Sequence, residues 1–379
     1  MKQISGRAAI FDQPGKPLRR VEIELAGSHA DDAIVELEMC TICGSDLHTI
    51  HGRRSLHGSA VLGHEMIGRV IWLPERQVFC FDAESGGRQE LSLGDRVTWC
   101  LHVGCGECFY CRENLSQKCD DLFKYGHEPI ETKLTADSKP TAELETDNYP
   151  TGGFATHCRL RKRTTIVRVP DHLPAEAVTP ANCATATVMA AFREAGDCAG
   201  KHVLILGAGM LGLTATAVAH AKQAASILVV DPHEARAQRS KQFGATDVCC
   251  DLVTAKELVM ETTQDRGADF AFDFAGVPDA VQSAIHFVRV GGHAILCGSV
   301  MPTESISVSP ERIVRGLLKI SGVHNYATHD LLDALRFLSS NANEYPFRSL
   351  VSKTFSLEDI DSAIACASAE HVRIGVTAK

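Results

Sequence analysis

The sequence lacks a long hydrophobic run and an excess of positive charge. No stretch of its 379 residues approaches the roughly 20 apolar residues that a membrane-spanning helix needs. The N-terminal segment, MKQISGRAAIFDQPGKP, holds no apolar run long enough for a secretory signal. We therefore expect a cytoplasmic protein with no membrane partner. The formal net charge of −9 argues against nucleic acid as a partner, because that role calls for a basic surface.

Chain length and cysteine content set further bounds. A chain of 379 residues is too long for one ordinary hydrophobic core, so two domains are expected. Hydrophobic residues make up 45% of it, as in ordinary globular proteins. Because a cytoplasmic compartment is reducing, the fifteen cysteines indicate metal ligands and buried thiols rather than disulfides.

The first hundred residues have the pattern of a β-rich domain. Short apolar or alternating runs bounded by Gly, Pro and Asp predict strands at 7–11, 33–39, 66–73 and 95–99. A polar, glycine-containing loop is expected at 74–93. Residues 126–152, polar with scattered prolines, predict a long surface loop, and a further strand is expected to start at 152–155. Many short strands with turn signals between them predict a small, mostly β domain.

A cluster of four cysteines follows in GCGECFYCRENLSQKC. Its members are Cys105, Cys108, Cys111 and Cys119. Four thiolates this close can complete a tetrahedral shell around one zinc ion and leave no position for substrate. An iron–sulfur cluster also takes four thiolates, and a zinc-ribbon nucleic-acid binder is a third interpretation, which the acidic net charge opposes. The lobe at about 104–120 is therefore expected to be structural.

A second metal site is predicted around MCTICGSDLHTIHGRRSLHGSAVLGHEMIGR, residues 39–69. Cys43 and His64 offer a thiolate and an imidazole, the ligand types that zinc prefers. A catalytic zinc takes three protein ligands, and Cys183, in TPANCATAT, is the best candidate for the third. Ser45 and His48 supply a hydroxyl and a second imidazole, the parts of a proton path.

The chain changes character after Cys183. Helical patterns, for example at 232–243 and 278–290, alternate with strands, and an apolar helix follows GAGMLG to about residue 221. This alternation predicts a doubly wound parallel sheet and an α/β fold class. From about residue 328 the pattern predicts a helix, a strand, a helix from 357 and a final strand. The predicted strands lie at 203–206, 226–231, 247–250, 270–274, 293–297 and 318–323, and in the tail at 351–355 and 372–377.

Three glycines predict a dinucleotide site. Gly207, Gly209 and Gly212 form G-x-G-x-x-G directly after a predicted strand and at the start of a helix. They allow a tight turn, close approach of pyrophosphate and close packing of helix on strand. Asp231 ends the next strand, where a carboxylate accepts hydrogen bonds from ribose hydroxyls and repels a 2′-phosphate. The motif therefore favours NAD over NADP; an ordinary helix-capping role is the alternative for Asp231.

The pattern C-G-S-D-x-H followed by G-H-E resembles the catalytic zinc motif of the zinc-dependent medium-chain alcohol dehydrogenases. The resemblance covers nearly the whole chain. It implies a GroES-like catalytic domain at 1–182 and 326–379, a Rossmann NAD-binding domain at 183–325, two zinc ions per chain, and a homodimer or homotetramer. It also implies site roles for five further residues: Asp46 orients His64, Glu65 lies near the zinc, Leu211 and Thr187 approach the nicotinamide, and Arg373 reaches the pyrophosphate. A structural ion pair with an arginine is the alternative for Asp46 and Glu65.

The same resemblance implies a reaction. Zinc held by Cys43, His64 and Cys183 acts as a Lewis acid on the oxygen of an alcohol. Ser45 takes the hydroxyl proton and His48 passes it to solvent, while hydride moves to the nicotinamide. A polyol or threonine dehydrogenase is the nearest alternative, and a cofactor-binding protein without catalysis is another. A zinc-free quinone reductase is disfavoured, because those enzymes lack both zinc motifs.

Two adjacent arginines bear on the substrate. By resemblance, Arg53 and Arg54 occupy positions that line the substrate pocket. A second polar cluster, residues 124–127 in KYGHE, follows the structural zinc lobe and is expected to approach the same mouth. Arginine binds phosphate and carboxylate through a planar fork of donors. The segments HGRR, KYGHE and PANCATAT together resemble a bacterial subgroup linked to phosphonate catabolism. An anionic, phosphonate-bearing aldehyde or alcohol is therefore expected, with a solvated loop as the alternative.

Overall fold

The computed structural model describes residues 4–25, 31–130, 150–367 and 371–378. The chain forms two compact units. The first comprises Met1–Cys183, Ala327–Ala342 and Phe347–Lys379, and the second comprises Ala184–Tyr326 and Asn343–Pro346. Within the described ranges, no helix is both long and apolar enough to cross a membrane.

Short strands dominate the N-terminal part of the first unit, as the alternating apolar runs predicted. In β3, for example, buried residues alternate with exposed ones in mid-strand and run together at both ends. The elements in chain order are β1 (Ile4–Phe11), β2 (Arg19–Leu25), β3 (Ala33–Thr41), α1 (Gly44–Ile50), β4 (Ala60–Val61), β5 (Glu65–Trp72), β6 (Phe79–Asp82), β7 (Arg88–Glu90), β8 (Arg96–Trp99), β9 (His102–Val103), α2 (Phe109–Arg112), β10 (Phe123–Lys124), β11 (His157–Leu160), β12 (Ile166–Arg168) and α3 (Ala175–Val178).

Helices alternate with strands through the second unit, and the tail returns to the first. The second unit contains α4 (Ala184–Ala195), β13 (His202–Leu206), α5 (Met210–Ala221), β14 (Ser226–Val230), α6 (Glu234–Arg239), β15 (Asp247–Cys249), α7 (Leu252–Thr263), β16 (Ala268–Asp273), α8 (Pro278–Phe287), β17 (Val288–Leu296), α9 (Pro310–Gly316) and β18 (Lys319–Gly322). The tail contains α10 (Thr328–Asn341), β19 (Val351–Ser356), α11 (Ile360–Cys366) and β20 (Arg373–Thr377).

Four predictions of local structure need correction. One is the helix expected at 278–290, which ends at Phe287, and β17 begins at Val288. The loop expected at 74–93 contains the antiparallel pair β6–β7, in which Cys80 lies opposite Gln89. The strand expected to start at 152–155 begins only at His157. The helix expected from Pro232 begins at Glu234, with His233 as its N-cap. Most of the loop expected at 126–152, residues 131–149, lies outside the described residues.

The first unit is built on a mixed nine-stranded sheet. Its order is β19-β20-β3-β5-β8-β12-β6-β7, with β11 also paired to β3. Two small sheets, β2-β1-β4 and β10-β9, complete the unit. β20 runs antiparallel to β3, with Val376 opposite Cys40 and Gly375 opposite Thr41. The last strand of the chain therefore lies beside the end of β3, where the polypeptide enters α1.

The second unit is a six-stranded parallel sheet of order β15-β14-β13-β16-β17-β18. Counted within the unit, this order is 3-2-1-4-5-6, that of the doubly wound dinucleotide-binding fold. The central strands are buried on both faces, as parallel sheets covered by helices require; Leu204 of β13, opposite Leu228 and Ala271, is fully buried. The predicted fold class, β-rich plus doubly wound α/β, is confirmed.

Candidate active site

Cys43 is positioned by the start of α1. Its backbone is extended, with φ −91° and ψ 158°, and its amide donates to Asp46 Oδ2 at 2.9 Å. A side chain three residues into a helix that accepts from the N-cap amide stabilises the helix start. This arrangement fixes the Cys43 thiol at the end of the turn between β3 and α1, and it places Ser45 in the first turn of the helix.

His64 lies directly before β5, in a segment of the chain separate from that of Cys43. Gly63 precedes it with a left-handed φ of +88°, and a Cβ there would lie 2.8 Å from Cys40 Sγ, so glycine is required. Asp46 Oδ1 lies 3.0 Å from His64 Nδ1, which leaves Nε2 for a ligand; Ser45 Oγ is 3.3 Å from that Nε2. Burial opposes charge on His64, but Asp46 and the thiolate of Cys43 outweigh it and raise the His64 pKa well above its usual value.

Cys183 follows a 3-10 helix, Thr179–Asn182. The Asn182 side chain donates to two carbonyls, His64 O at 3.0 Å and Trp99 O at 3.1 Å. One buried amide thus ties the segment that carries Cys183 to the segment that carries His64. Sequence reasoning missed Asn182, and its only signal was its place directly before a predicted ligand.

The three predicted ligands converge. One ligand atom from each of Cys43, His64, Glu65 and Cys183 lies within 4.8 Å of all the others. The Cys183 thiol hydrogen-bonds the Cys43 sulfur, which holds the Cys43 pKa well below and the Cys183 pKa well above the ordinary thiol value. Two cysteine sulfurs and one imidazole nitrogen form a donor set that fits zinc with one position left open.

Glu65 completes the group as an ion-pair partner. Its carboxylate is fully buried and accepts from Thr41 Oγ1 at 2.6 Å and from Arg373 Nε at 2.8 Å. Burial raises the Glu65 pKa to about 7, although Arg373 opposes the shift. The structure thus shows Glu65 paired with an arginine, the alternative to a metal-facing carboxylate. The Arg373 guanidinium also lies against the sulfur of Cys43, with Nη2 3.5 Å from Sγ, and its role toward pyrophosphate stays a prediction.

His48 lies on α1 one turn beyond Ser45. Its Nδ1 is buried and has no hydrogen-bond partner in the described part of the chain. Burial, together with the cations Arg53 and Arg54, lowers the His48 pKa. The imidazole is therefore held neutral near pH 7, with a nitrogen free to accept a proton.

A positively charged wall adjoins the ligand set. The His127 ring packs on the His64 ring with centroids 4.6 Å apart, and Arg54 Nη1 lies 3.4 Å from His127 Nδ1. Burial, followed by repulsion from Arg54 and Lys118, lowers the Lys124 pKa to about 8. Arg54 is half-buried in this wall, whereas Arg53 is exposed.

The four cysteines of the lobe form a second cluster. The sulfurs of Cys105, Cys108, Cys111 and Cys119 all lie within 4.8 Å of one another. Backbone amides point at them, for example Cys105 N at 3.1 Å from Cys119 Sγ. Amides of Asp120 and Cys111 lower the Cys108 pKa to about 6. Four thiol ligands supported by amide donors fit a closed structural zinc site.

In the second unit, the glycine-rich turn joins β13 to α5. Gly207 has a φ of +98°, and a Cβ on Gly212 would lie 1.8 Å from Gly207 O, whereas a Cβ on Gly209 would meet nothing within 4 Å. The first and third glycines are thus required by the turn and by helix packing. The open space at Gly209 is the cradle that a pyrophosphate needs at a helix N-terminus.

Asp231 holds that turn from the end of β14. It is buried, 4% exposed, and its Oδ2 accepts from Ala208 N at 2.8 Å. Its Oδ1 accepts from the amide of His233, the N-cap of α6, at 2.9 Å. The structure thus shows the capping contact, and the role toward ribose stays a prediction. Thr187 in α4 and Leu211 in the first turn of α5 are both half-buried.

Comparisons with known proteins identify the class. The family description "Alcohol dehydrogenase GroES-like domain" matches residues 29–171, and "Zinc-binding dehydrogenase" matches residues 211–340. Together the two matches span more than half of the chain; the first lies within the first unit, and the second lies mainly within the second unit. The chain belongs to the zinc-dependent medium-chain alcohol dehydrogenases, as the motif around Cys43 and His64 predicted.

Several relatives cover most of the chain. Sorbitol dehydrogenase of Bacillus subtilis is 27% identical over 340 residues, 88% of this chain and 86% of its own. An alcohol dehydrogenase of Geobacillus stearothermophilus is 28% identical over 345 residues, which are 87% of this chain and 88% of its own. L-threonine 3-dehydrogenase of Pyrococcus horikoshii is 28% identical over 300 residues, which are 77% of this chain and 75% of its own. The relatives are thus dehydrogenases of different alcohols.

Solved structures share the fold. An alcohol dehydrogenase from Thermotoga maritima has a TM-score of 0.87 at 23% identity and covers 99% of both chains. A structure described as a zinc-binding dehydrogenase from Sinorhizobium meliloti bound to NADP has a TM-score of 0.80 at 21% identity, with 99% of this chain and 100% of that one covered. At these identities the likeness concerns the fold.

Proposed function

We propose that this protein is a zinc- and NAD-dependent dehydrogenase that interconverts an alcohol with its aldehyde or ketone. The observation that carries the proposal is the convergence of Cys43, His64 and Cys183, with ligand atoms within 4.8 Å of one another. When bound, zinc supplies Lewis-acid polarisation of the substrate oxygen. Asp46 fixes the His64 ring, as partners of metal-binding histidines commonly do.

Ser45 and His48 form the proton path. Ser45 Oγ lies 3.3 Å from His64 Nε2, so the serine hydroxyl adjoins the ring nitrogen that would hold the metal. In oxidation, Ser45 accepts the proton of the substrate hydroxyl, and His48 passes it to solvent. When bound at the glycine-rich turn, the nicotinamide would accept a hydride from the carbinol carbon, so that one proton and one hydride would leave the alcohol. The lowered pKa of His48 keeps its imidazole able to accept.

NAD is the proposed cofactor, bound by the glycine-rich turn and Asp231. The Asp231 carboxylate lies at the end of β14 and touches the turn through Ala208, where it would repel a 2′-phosphate. The NADP in the Sinorhizobium meliloti structure makes cofactor choice a property to be measured. Thr187 and Leu211 remain proposed contacts of the nicotinamide.

The proposed substrate is anionic, with phosphonate as the favoured group. The support is the wall of Arg54 and Lys124 beside the ligand set, joined to it through the ring of His127. Two cations close to a metal site stabilise a dianion through charge-assisted hydrogen bonds. Arg53, exposed on the same turn, adds charge at the rim. A neutral polyol or amino alcohol is the rival substrate, because sorbitol and threonine dehydrogenases are among the relatives.

Self-association belongs to the same proposal. β18 is an edge strand of the six-stranded sheet, and an open edge pairs readily with another chain. Three apolar side chains in β18 or just before it are exposed: Val314 and Leu317 have an exposed fraction of 70%, and Ile320 of β18 has one of 39%. We therefore assign a homodimer or homotetramer built through this edge. Light scattering should show a smaller mass for Ile320→Lys; a wild-type monomer would contradict the assignment.

A substrate screen tests the enzymatic proposal. Purified zinc-loaded protein is assayed with NAD(H) against neutral, polyol, amino-alcohol and phosphonate-bearing alcohols and aldehydes. We expect turnover that is lost in Cys43→Ala while circular dichroism is unchanged. No turnover with any of them, together with NAD binding, would favour a cofactor-binding protein without catalysis.

The Arg54→Ala variant tests the anionic substrate separately. We expect a KM raised about tenfold or more for the phosphonate-bearing aldehyde and little change for a neutral aldehyde of similar length. If the wild type prefers the neutral aldehyde and Arg54→Ala treats both alike, the anionic substrate is wrong while the dehydrogenase assignment stands.

A further inference from the structure

A cleft in the first unit gathers arginines beside the four-cysteine lobe and outside the proposed catalytic ligand set. It measures about 480 Å³ and lies at the junction of β6 and β12, where Phe81 is opposite Val167. Its charged lining residues are Arg76, Arg88, Arg161 and Arg163. None of its lining residues carries a carboxylate, and none belongs to the Cys43, His64 and Cys183 set.

Three of these guanidiniums are held by contacts that leave donors to spare. Arg88 lies over the Phe79 ring, 4.1 Å from its centroid. Arg161 lies over the Phe123 ring at 4.3 Å, and Arg163 donates one Nη1 hydrogen bond to Cys105 O at 2.6 Å. A guanidinium has five N–H donors, and stacking on a ring uses none of them. The side chains are therefore ordered while most of their donors remain available.

Three of the four arginines in the cleft have no carboxylate partner in the part of the chain that the structure describes. Among the described residues, no carboxylate pairs with Arg88, Arg161 or Arg163, whereas Arg76 pairs with Asp31 at 3.3 Å. Elsewhere in the same unit, exposed arginines do have carboxylate partners: Arg19 with Asp12, Arg20 with Asp361 and Arg69 with Asp171. Three uncompensated cations around one cleft repel one another, in a protein whose net charge is −9.

We infer that this cleft binds the phosphate group of a small organic phosphate. Guanidinium forks match phosphate oxygens in pairs, and a volume of about 480 Å³ is within the range of small-molecule sites. Val78, Phe79 and Phe81 supply an apolar lining for the organic part. The cleft is too small to track a nucleic-acid strand, and the overall negative charge opposes such a partner.

The test is calorimetric titration of zinc-loaded protein with phenyl phosphate at a fixed ionic strength of about 0.15 M. It uses the Arg54→Ala background, so that the proposed substrate wall does not contribute. We expect saturable binding, weakened about tenfold or more in Arg88→Ala/Arg161→Ala because two charge-assisted contacts are lost. The matched control, Arg19→Ala/Arg315→Ala, removes the same charge at arginines paired with Asp12 and Glu311 and should change affinity less than about twofold.

Two further arms sharpen the result. Phenol, which lacks the phosphate, should not bind, and inorganic phosphate should bind more weakly than phenyl phosphate. Arg88→Lys/Arg161→Lys keeps the charge without the fork and should bind with intermediate affinity, which also shows that the cleft is still folded. Absence of saturable binding, equal weakening in the two double alanine variants, or unchanged affinity in Arg88→Ala/Arg161→Ala would overturn the inference.

Discussion

Arg373 and Glu65 form a bidentate ion pair although they lie 308 positions apart in the chain. Nε lies 2.8 Å from Oε2 and Nη2 lies 2.9 Å from Oε1. The same Nη2 is 3.5 Å from Cys43 Sγ. One buried guanidinium thus serves two anions, a carboxylate and a thiolate that is a proposed zinc ligand. Glu65 and Cys43 in turn raise the Arg373 pKa against the effect of burial.

This pair gives the first prediction. Arg373→Ala leaves the fully buried Glu65 carboxylate without its cation, so we expect the free energy of unfolding to fall by about 3–5 kcal/mol. Urea denaturation of zinc-loaded protein measures it. Arg315→Ala is the control, because Arg315 and its partner Glu311 are 79% and 69% exposed, and it should cost less than about 1 kcal/mol. Equal effects of the two substitutions would contradict a structural role for the buried pair.

The second prediction concerns two separable metals. The two cysteine clusters share no ligand, so we expect about two zinc ions per chain. Cys43→Ala should abolish turnover and leave the lobe's zinc in place. Cys111→Ala should lower the melting temperature or the yield, because a closed structural site contributes directly to folding. Elemental analysis counts the metal, and a single zinc in fully active wild type would refute the assignment.

The third prediction separates the two contacts of Asp231. Asp231→Asn removes the charge but keeps an oxygen for the Ala208 amide, so the preference for NAD over NADP should shrink with little loss of NAD affinity. Asp231→Ala removes that acceptor as well and should also raise the KM for NAD. Initial rates with both cofactors measure the effect. Equal efficiency of NAD and NADP in the wild type would show that Asp231 only fixes the turn.

The fourth prediction concerns pH. The neutral imidazole of His48 is the form that accepts a proton, and its pKa lies below the usual value because of burial, Arg53 and Arg54. Oxidation of a neutral alcohol should therefore be on its plateau above that pKa and fall as pH drops through it. Arg54→Ala removes one cation and should therefore raise the pKa of His48. The acidic limb of the pH–rate profile should then move to higher pH by roughly half a unit.

The matching variant at the relay itself is His48→Ala. It should slow oxidation about 10- to 100-fold, most strongly below neutral pH, and imidazole added to the buffer should restore part of the rate. Arg20→Ala, which breaks an ion pair with Asp361, is the control and should leave the pH profile unchanged. If the acidic limb of the pH–rate profile keeps its position in both Arg54→Ala and His48→Ala, then His48 lies outside the proton path.

The parts of the molecule encoded by short spacings were predictable from sequence. The four-cysteine lobe spans fifteen residues, and the glycine turn with Asp231 lies within one β-α-β segment, so spacing alone indicates the chemistry. The alternating strands and helices of the second unit likewise gave the parallel sheet. Cys43, His64 and Cys183 are spread over 141 positions, so no spacing joins them, and Cys183 was only the best candidate for the third ligand.

The features that sequence reasoning missed are long-range contacts or elements with a weak sequence pattern. Nothing local in the sequence pairs Arg373 with Glu65, because the contact depends on β20 lying beside β3. Asn182 acts through backbone carbonyls of His64 and Trp99, and such a role leaves no motif. The β6–β7 hairpin was missed because its strands have four and three residues, with Cys80 the only fully buried side chain.

The position of Arg373 also has a consequence for synthesis on the ribosome. Cys43 is translated 330 residues before Arg373, and every residue of the second unit precedes β20. The nascent chain therefore carries the thiol of Cys43 and the carboxylate of Glu65 without their cation until the strand β20 has been added. Metal captured co-translationally at Cys43, His64 and Cys183 would bind at a site that still lacks the Arg373 guanidinium.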